Sequence, residues 1–494
     1  MKDSRLWRKY LWVCLLLCAV TAQALASNDT VHIKQVPYKD ATGNLYTLTL
    51  YGGDGGDFAR SIICDEGAAC SLFGYSYGSF GGSPDFLVLH FGSNSNSSWA
   101  ETFGGTNTDL LFGAIRTRDG GYFTSGSSQS MFFTFLKVFR PHYPPRPFYA
   151  KLDSNGKLQW AGNIELESDI SGAEVSRTIQ TSDGGYLLIG SYWEAYPASG
   201  RKPLPDEWSA SAPGNTEGWQ YYYPFMVKLS ADGKPQWMRR YIFGDTGGMA
   251  TSAVLMPSGD ILVAGTVFDK PDEPLFMMQT DPEGNPLHTT TYAIPGEQGS
   301  NALIGLQDGS YMLVGHAIAR GIPHRALVAH FAADGSLISG VLYSNAAGVR
   351  PLGMVQAKDG KICIVGRTEN PQTKKAAGVA WLTDEQLHDL DEFWLWGDGN
   401  TELEDVALSA AGGFDIVGDT NAFGADQFDL VRLTWKPTAP GAQTSKELLQ
   451  EPYKPTLGNV DTISQTGKTG LIRVIPVNLI NVKNLNLPAI KNHN

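Results

Sequence analysis

Catalytic signatures are what this chain has least of. Its nine histidines (32, 90, 142, 288, 316, 324, 330, 388 and 493) form no His-x-His or His-Glu-x-x-His spacing, so the usual metalloenzyme patterns are missing. No Gly-x-Ser-x-Gly elbow or phosphate-cradling glycine loop sits in a strand–turn–helix setting. The chain therefore reads as non-catalytic, with no cofactor and no metal implied. Charge is sparse as well, at 18% of 494 residues, yet 42% are hydrophobic, too many for a disordered chain. Cysteine is scarce, five in all. Past residue 26 no apolar run approaches the ~20 residues that a bilayer span takes. No membrane span is expected beyond that point.

The N-terminus has the marks of an export signal. Lys2, Arg5, Arg8 and Lys9 precede the apolar stretch Leu11 to Val20, and Ala24-Leu25-Ala26 forms a cleavage site. Residues 1–26 are expected to be removed, which places the protein in the periplasm, outside the cell or at its surface. Three cysteines remain. Cys64 and Cys70 flank a short turn and are expected to pair there, since exported chains meet an oxidising compartment. Cys363 lies in a run of apolar residues and reads as a buried core side chain. Formal charge is −12 in total, with +3 on the signal and +3 on residues 440–494, which leaves about −18 on the body. An acidic body disfavours nucleic acid as a partner.

What the chain has in quantity is glycine (56), proline (27) and aromatic residues, arranged in repeats. A turn followed by a strand ending in glycine recurs as Asp119-Gly120-Gly121-Tyr122 to Gly126 and Asp183-Gly184-Gly185-Tyr186 to Gly190. Later copies end at Gly265, Gly315, Gly366 and Gly418, and the Cys64–Cys70 hairpin ending at Gly74 is a divergent first copy. The closing glycines are 52, 64, 75, 50, 51 and 52 residues apart. Each copy holds a second hairpin, such as Tyr149 to Trp160, whose Asn-Gly or Asp-Gly turn supplies positive φ. Four strands in about 50 residues make a propeller blade. The expected fold is thus all-β, a seven-bladed β-propeller of four-stranded antiparallel blades over residues 27–439. Six or eight blades would follow if a degenerate copy were misread. The seventh copy lacks a fourth strand, and Leu45 to Gly53 matches the missing one, so an N-terminal strand is expected to close the ring.

The Asp-Gly-Gly-Tyr hairpins resemble the repeats of bacterial secreted β-propeller proteins. The Asp153, Gly156, Trp160 spacing is similar to the tryptophan-docking turn of quinoprotein-like propellers, where the indole wedges between blades. Trp237 fits that position, whereas His288 and Ser339 replace it in the next two blades. The resemblance implies blade packing rather than an activity.

If strand A of each blade is innermost, the A–B and C–D turns share one face. The B–C loops and blade-to-blade connections share the other. Two insertions, about 129–146 and 192–222, both fall in B–C loops. The first carries Phe133, Arg140 and Tyr143, and the second carries Trp193, Tyr196, Trp208, Trp219, Tyr221 and Tyr222. Long aromatic loops on a rigid scaffold suit a protein or glycan partner on the cell surface or in the periplasm; alternatively these rings pack on one another as a loop core. The class rival is a periplasmic quinoprotein-like or carbohydrate-active enzyme with its site at the propeller mouth. Asp398 to Asp405 offers oxygens at alternate positions, like a calcium loop lacking some ligands, and reads as a solvated acidic turn. His90 and His330 share a strand-C position with Lys151, Lys228, Gln279, Trp381 and Arg432, so they read as structural. The basic tail, 440–494, does not repeat the unit. Ser445 to Gln450 could form a helical turn, and Leu471 to Ile480 reads as an edge strand, lying on the propeller or donated to a partner's sheet.

Overall fold

The computed structural model describes residues 31–40, 43–53, 55–65, 69–77, 83–92, 98–104, 107–129, 145–165, 172–196, 219–243, 247–268, 272–319, 321–370, 372–425 and 427–437, and five short segments within 449–485. Residues 1–26, expected to be an export signal, lie outside them, as do residues 130–144 and 197–218, the bulk of the two insertions. All regular structure among the described residues is strand. Seven antiparallel sheets form the ring, each with strands A to D in order. Strands A are Asp57–Cys64, Asp109–Arg116, Gly172–Gln180, Gly248–Leu255, Glu297–Gly305, Val349–Gln356 and Thr401–Leu408. They pack against one another around the axis. Blade 7 takes Leu45–Gly52 as its fourth strand, with Thr49 opposite Arg432 and Tyr51 opposite Leu430. The protein is an all-β, seven-bladed propeller closed by a strand from near its N-terminus.

No single sheet hides its own apolar faces. The buried side chains instead form seven clusters, one at each seam between neighbouring blades. Cys363 is buried at the blade 6–7 seam, and its thiol is pushed up by that burial. The seam between blades 5 and 6, for instance, joins Met312, Val314 and Val328 to Ile362, Ile364 and Trp381. Tyrosines latch some seams. Tyr149, Tyr241 and Tyr292 donate to the carbonyls of Gly233, Gly284 and Gly335 in the next blade's C–D turn, at 2.9, 2.8 and 3.3 Å. Indoles dock as the spacing implied. Trp99, Trp160 and Trp237 lie on Gly156, Gly233 and Gly284, where an added methyl group would meet the rings at 2.0 to 2.8 Å.

The closing glycine of each copy has one physical cause. All seven A strands carry a bulge at the same register, beside the residue that pairs with that glycine. The bulge turns a carbonyl toward strand B. A Cβ on Gly74, Gly126, Gly190, Gly265, Gly315, Gly366 or Gly418 would stand 1.8 to 2.1 Å from the carbonyl oxygen of Phe58, Leu110, Glu174, Met249, Gly299, Arg350 or Glu402. Only glycine lets the two backbones approach.

The Asp-Gly turns are latched to strand C, which accounts for its varied polar position. Asp119 accepts from Thr117 and Gly121 and pairs with Lys151 at 3.0 Å. Asp183 repeats this with Lys228 at 2.8 Å, and Gln279 donates to Asp260. His330 bonds Ser310, and His90 bonds Ser71, each at 2.8 Å. Cys64 and Cys70 are joined in a disulfide at the first of these hairpins.

The rim is wrapped rather than open. His32–Lys39 adds a fifth strand to blade 7 along its whole length. The tail then supplies five more, and it runs backwards. Leu449–Pro452, Thr456–Asn459, Ile463–Gln465, Arg473–Pro476 and Lys483–Leu485 pair with strand D of blades 5, 4, 3, 2 and 1 in turn. The helical turn expected around Ser445 to Gln450 differs from this, because Leu449 and Gln450 already pair with Ser344 and Tyr343; 445–448 lie outside the described residues. Short tail strands gain their hydrogen bonds from a ready-made edge, which outweighs local helix propensity. Blade 6 alone stays four-stranded among the described residues, and there the Tyr38 hydroxyl takes over. It donates to the Trp394 carbonyl at 2.7 Å and accepts from the Trp396 N–H at 3.2 Å.

Gly366→Ala should cost about 1–3 kcal/mol through forced overpacking, read by chemical denaturation; an unchanged midpoint would contradict the bulge account. The turn carboxylates set an acid limit. Partial burial opposes ionisation, but the Thr117 hydroxyl and Lys151 hold Asp119 down to about 2, and Lys228 and Thr181 do the same for Asp183. A depressed folded pKa adds stability above the ordinary value of 3.8, lost as pH falls toward 2. The double variant Asp119→Asn/Asp183→Asn should lose less stability than the native protein between pH 4 and pH 2 in acid melts.

Candidate functional site

The second insertion grows out of an extended hairpin. Strands B and C of blade 3, Tyr186–Tyr196 and Trp219–Leu229, have 11 residues each against 7 in blade 2. Tyr192 faces Tyr223, Trp193 faces Tyr222, and Tyr196 faces Trp219 in register. Tyr192 and Tyr223 stack at 5.2 Å, and Trp193 lies 5.7 Å from Tyr222. Trp193 also seats on Gly172, where a methyl group would meet its indole at 2.3 Å. Burial and the nearby Glu174 carboxylate hold the Tyr222 phenol above its ordinary range. Ring-on-ring packing thus builds the base of the hairpin. The strand positions of Tyr196, Trp219 and Tyr221 are described, but their side chains are not, and Phe133, Arg140, Tyr143 and Trp208 lie outside the described residues.

A second group on the same face was not legible in advance. Phe58, at the start of strand A in blade 1, stacks on Tyr75 at 5.2 Å and on Phe428 of blade 7 at 5.4 Å. Tyr77 meets Phe58 edge-on at 5.8 Å and is 41% exposed. Arg60 lies 5.1 Å from the Tyr75 ring centre and donates to its hydroxyl at 2.9 Å. The same guanidinium pairs with Glu404 at 3.1 Å and Asp419 at 3.3 Å, both from blade 7. Arg60 and Glu404 are themselves bulged residues, which is how both come to face the axis. Blade 6 continues the alternation of sign, with Arg367 paired to Glu402 and Arg350 beside them.

Two carboxyls share one guanidinium here, with Arg60 22%, Glu404 15% and Asp419 5% exposed. Burial pushes Glu404 and Asp419 upward against the pull of Arg60, with Glu402 adding to both and Glu404 adding to Asp419. Asp405 is pushed up by burial too, while the Ile62 N–H it accepts at 2.9 Å opposes this. The same two places elsewhere in the ring show what they do by default. Ser191 accepts from the Ala250 N–H as Asp419 accepts from that of Ala59, and Ser252 accepts from Leu303 as Asp405 does from Ile62. Both carboxylates therefore cap bulge N–H groups across a seam. Arg60 caps no N–H and instead donates to the carbonyl of its neighbour Ala59 at 2.6 Å, while Glu404 is held by Arg60. The signal that could have found them is alignment of the A strands, where Phe112, Ser176, Thr251, Asn301 and Leu352 stand in their place.

The acidic run from Asp398 resolves into separate pairings rather than one cage. Asp398 accepts from the Phe423 N–H, Glu402 binds Arg367, and Glu404 binds Arg60. On the opposite face, which carries the A–B and C–D turns, a cleft of about 920 Å³ lies between blades 6 and 7, lined by Leu382, Leu390, Leu408 and Phe414. Pro437 stands at its edge, and the residues that follow it, 438–448, lie outside the described ones. No described helix is long and apolar enough to cross a membrane.

These features define a class: a rigid closed propeller with a charged axial mouth and aromatic groups on its loop-bearing face. No protein-family model matches the chain, and no curated protein matches it either.

Arg60→Met should destabilise by about 3 kcal/mol or more near neutral pH, because it strands two buried carboxyls. Their pKa values rise further without the guanidinium, so stability should recover as pH falls toward 5. Denaturation at pH 7 and pH 5 tests both, and an equal loss at the two values would refute the shared-charge account.

Proposed function

We propose that this is a non-catalytic exported binding protein, resident in the periplasm or at the cell surface, whose loop-bearing face takes a glycan. The observation that carries the reading is the stacked group Phe58, Tyr75, Tyr77 and Phe428 beside the Arg60–Glu404 pair. Flat apolar rings next to hydrogen-bonding charges suit the alternating C–H and hydroxyl surfaces of sugar rings. The aromatic hairpin of blade 3, with Trp193, Tyr196, Trp208, Trp219, Tyr221 and Tyr222, and the blade 2 loop with Phe133, Arg140 and Tyr143, would form further walls of the same mouth. A bacterial secreted propeller related to the Asp-Gly-Gly-Tyr repeat proteins fits this role. The carbohydrate-active enzyme remains the rival, because Glu404 and Asp419 are paired carboxyls with raised pKa. The backbone role of Asp419 weighs against it, since one of its oxygens is committed to the Ala59 N–H as Ser191 is to that of Ala250.

Binding of the mature protein to a panel of bacterial and host polysaccharides tests the reading. Tyr77→Ala/Phe428→Ala should weaken retention on the order of tenfold, as expected for about 1.4 kcal/mol of lost stacking. Undiminished glycan binding by that variant, or capture of a protein and no glycan by the native chain, would overturn it.

A further inference from the structure

Two neighbouring seams on the loop-bearing face hold matching pairs of aspartates, of which Asp85, Asp109 and Asp57 are buried and Asp429 is half-buried. Asp85 is the second residue of strand C of blade 1 (Pro84–Phe91), Gly104 directly follows its strand D (Trp99–Phe103), and strand A of blade 2 begins with Asp109. At the blade 7–1 seam the corresponding residues are Asp429, Gly52 and Asp57. Both connections read Gly-Gly-x-x-x-Asp, at Gly52-Gly53 to Asp57 and Gly104-Gly105 to Asp109. The glycine is there to admit the carboxylate. A methyl group on Gly104 would stand 2.0 Å from Asp85 Oδ1 and 3.0 Å from Asp109 Oδ2, and one on Gly52 would stand 2.2 Å from Asp429 Oδ1. The Asp85 and Asp109 oxygens therefore flank one point and are no more than about 5 Å apart.

Asp85 is the telling residue. It is 0% exposed, and neither carboxylate oxygen has a hydrogen-bond partner. An isolated buried carboxylate is costly, and proteins normally pair such a group or use it to hold a metal. The position is not a requirement of the fold. Arg146, Tyr223, Arg325 and Ala377 occupy it in blades 2, 3, 5 and 6, opposite Ser128, Tyr192, Ala317 and Thr368.

We infer that Asp85 with Asp109, and Asp429 with Asp57, are twin calcium sites that pin blade 1 to its two neighbours. Paired carboxylates with hydroxyl neighbours in the same row fit a hard cation. Register neighbours add hydroxyls within the same row, since Ser76 lies opposite both Asp57 and Asp85, and Ser128 lies opposite Asp109. At the second site the Gly53 N–H orients Asp57 through Oδ2 at 2.7 Å. An exported protein meets about millimolar calcium, the range in which extracellular modules bind it.

Calorimetric titration of the chelator-stripped mature protein with calcium chloride should give two ions per chain. Its melting temperature should rise by roughly 2–5 °C at millimolar calcium and fall back with chelator. Asp85→Asn should leave one ion, and Asp85→Asn/Asp429→Asn none, with the calcium-dependent part of the melt gone. The comparison of native protein with and without calcium needs no variant to fold. A calcium-independent melt with no bound ion, or wild-type binding by the double variant, would overturn the inference.

Discussion

The structure depends on one constraint: a four-stranded sheet with two apolar faces has nowhere to bury them except against copies of itself. The seven buried clusters sit at seams and not inside blades, so every blade is stable only as part of a closed ring. The other recurring devices act on that contact. Bulges in the A strands let the inner strands crowd the axis, the closing glycines accept the carbonyls those bulges displace, and tyrosines and indoles bind each C–D turn to its neighbour. Closure by Leu45–Gly52 ties the two ends of the repeat array into a single cooperative unit.

Edges are the second problem that a propeller creates, and this chain solves it with its termini. The tail revisits five blades in reverse order, and the strand before the closing one covers a sixth. The seventh edge receives a tyrosine hydroxyl bonded to its exposed backbone. A wrapped rim leaves little strand edge open to other chains and concentrates the variable surface on the two flat faces. On the loop-bearing face the departures from the repeat gather around blades 7, 1 and 3. There aspartates cap bulge N–H groups that Ser191 and Ser252 cap at other seams, a bulge carries an arginine, and a hairpin lengthens with aromatic pairs. Local exceptions on a regular scaffold are where function is expected to reside.

Periodicity made the scaffold legible. Glycines spaced about 50 residues apart announced the blade, the absent strand after Trp435 announced the closure, and a six-residue separation announced the disulfide. Each is a local or repeated signal. The axial pair could not be read that way, because Arg60 and Glu404 are 344 residues apart and meet only when the ring closes. Asp85 and Asp109 likewise face each other across a seam, not along a strand. The tail strands are three or four residues long with no period of their own, so nothing in them marks where they pair.

From its residues alone, then, this chain declares an all-β ring of seven repeats, because turn chemistry and alternation act over a few residues and repeat faithfully. Only the tertiary structure decides which carboxylates lose their water, which arginine they share and which edge each tail strand covers. Those outcomes depend on burial and on distance through space, and neither is written in the order of the residues.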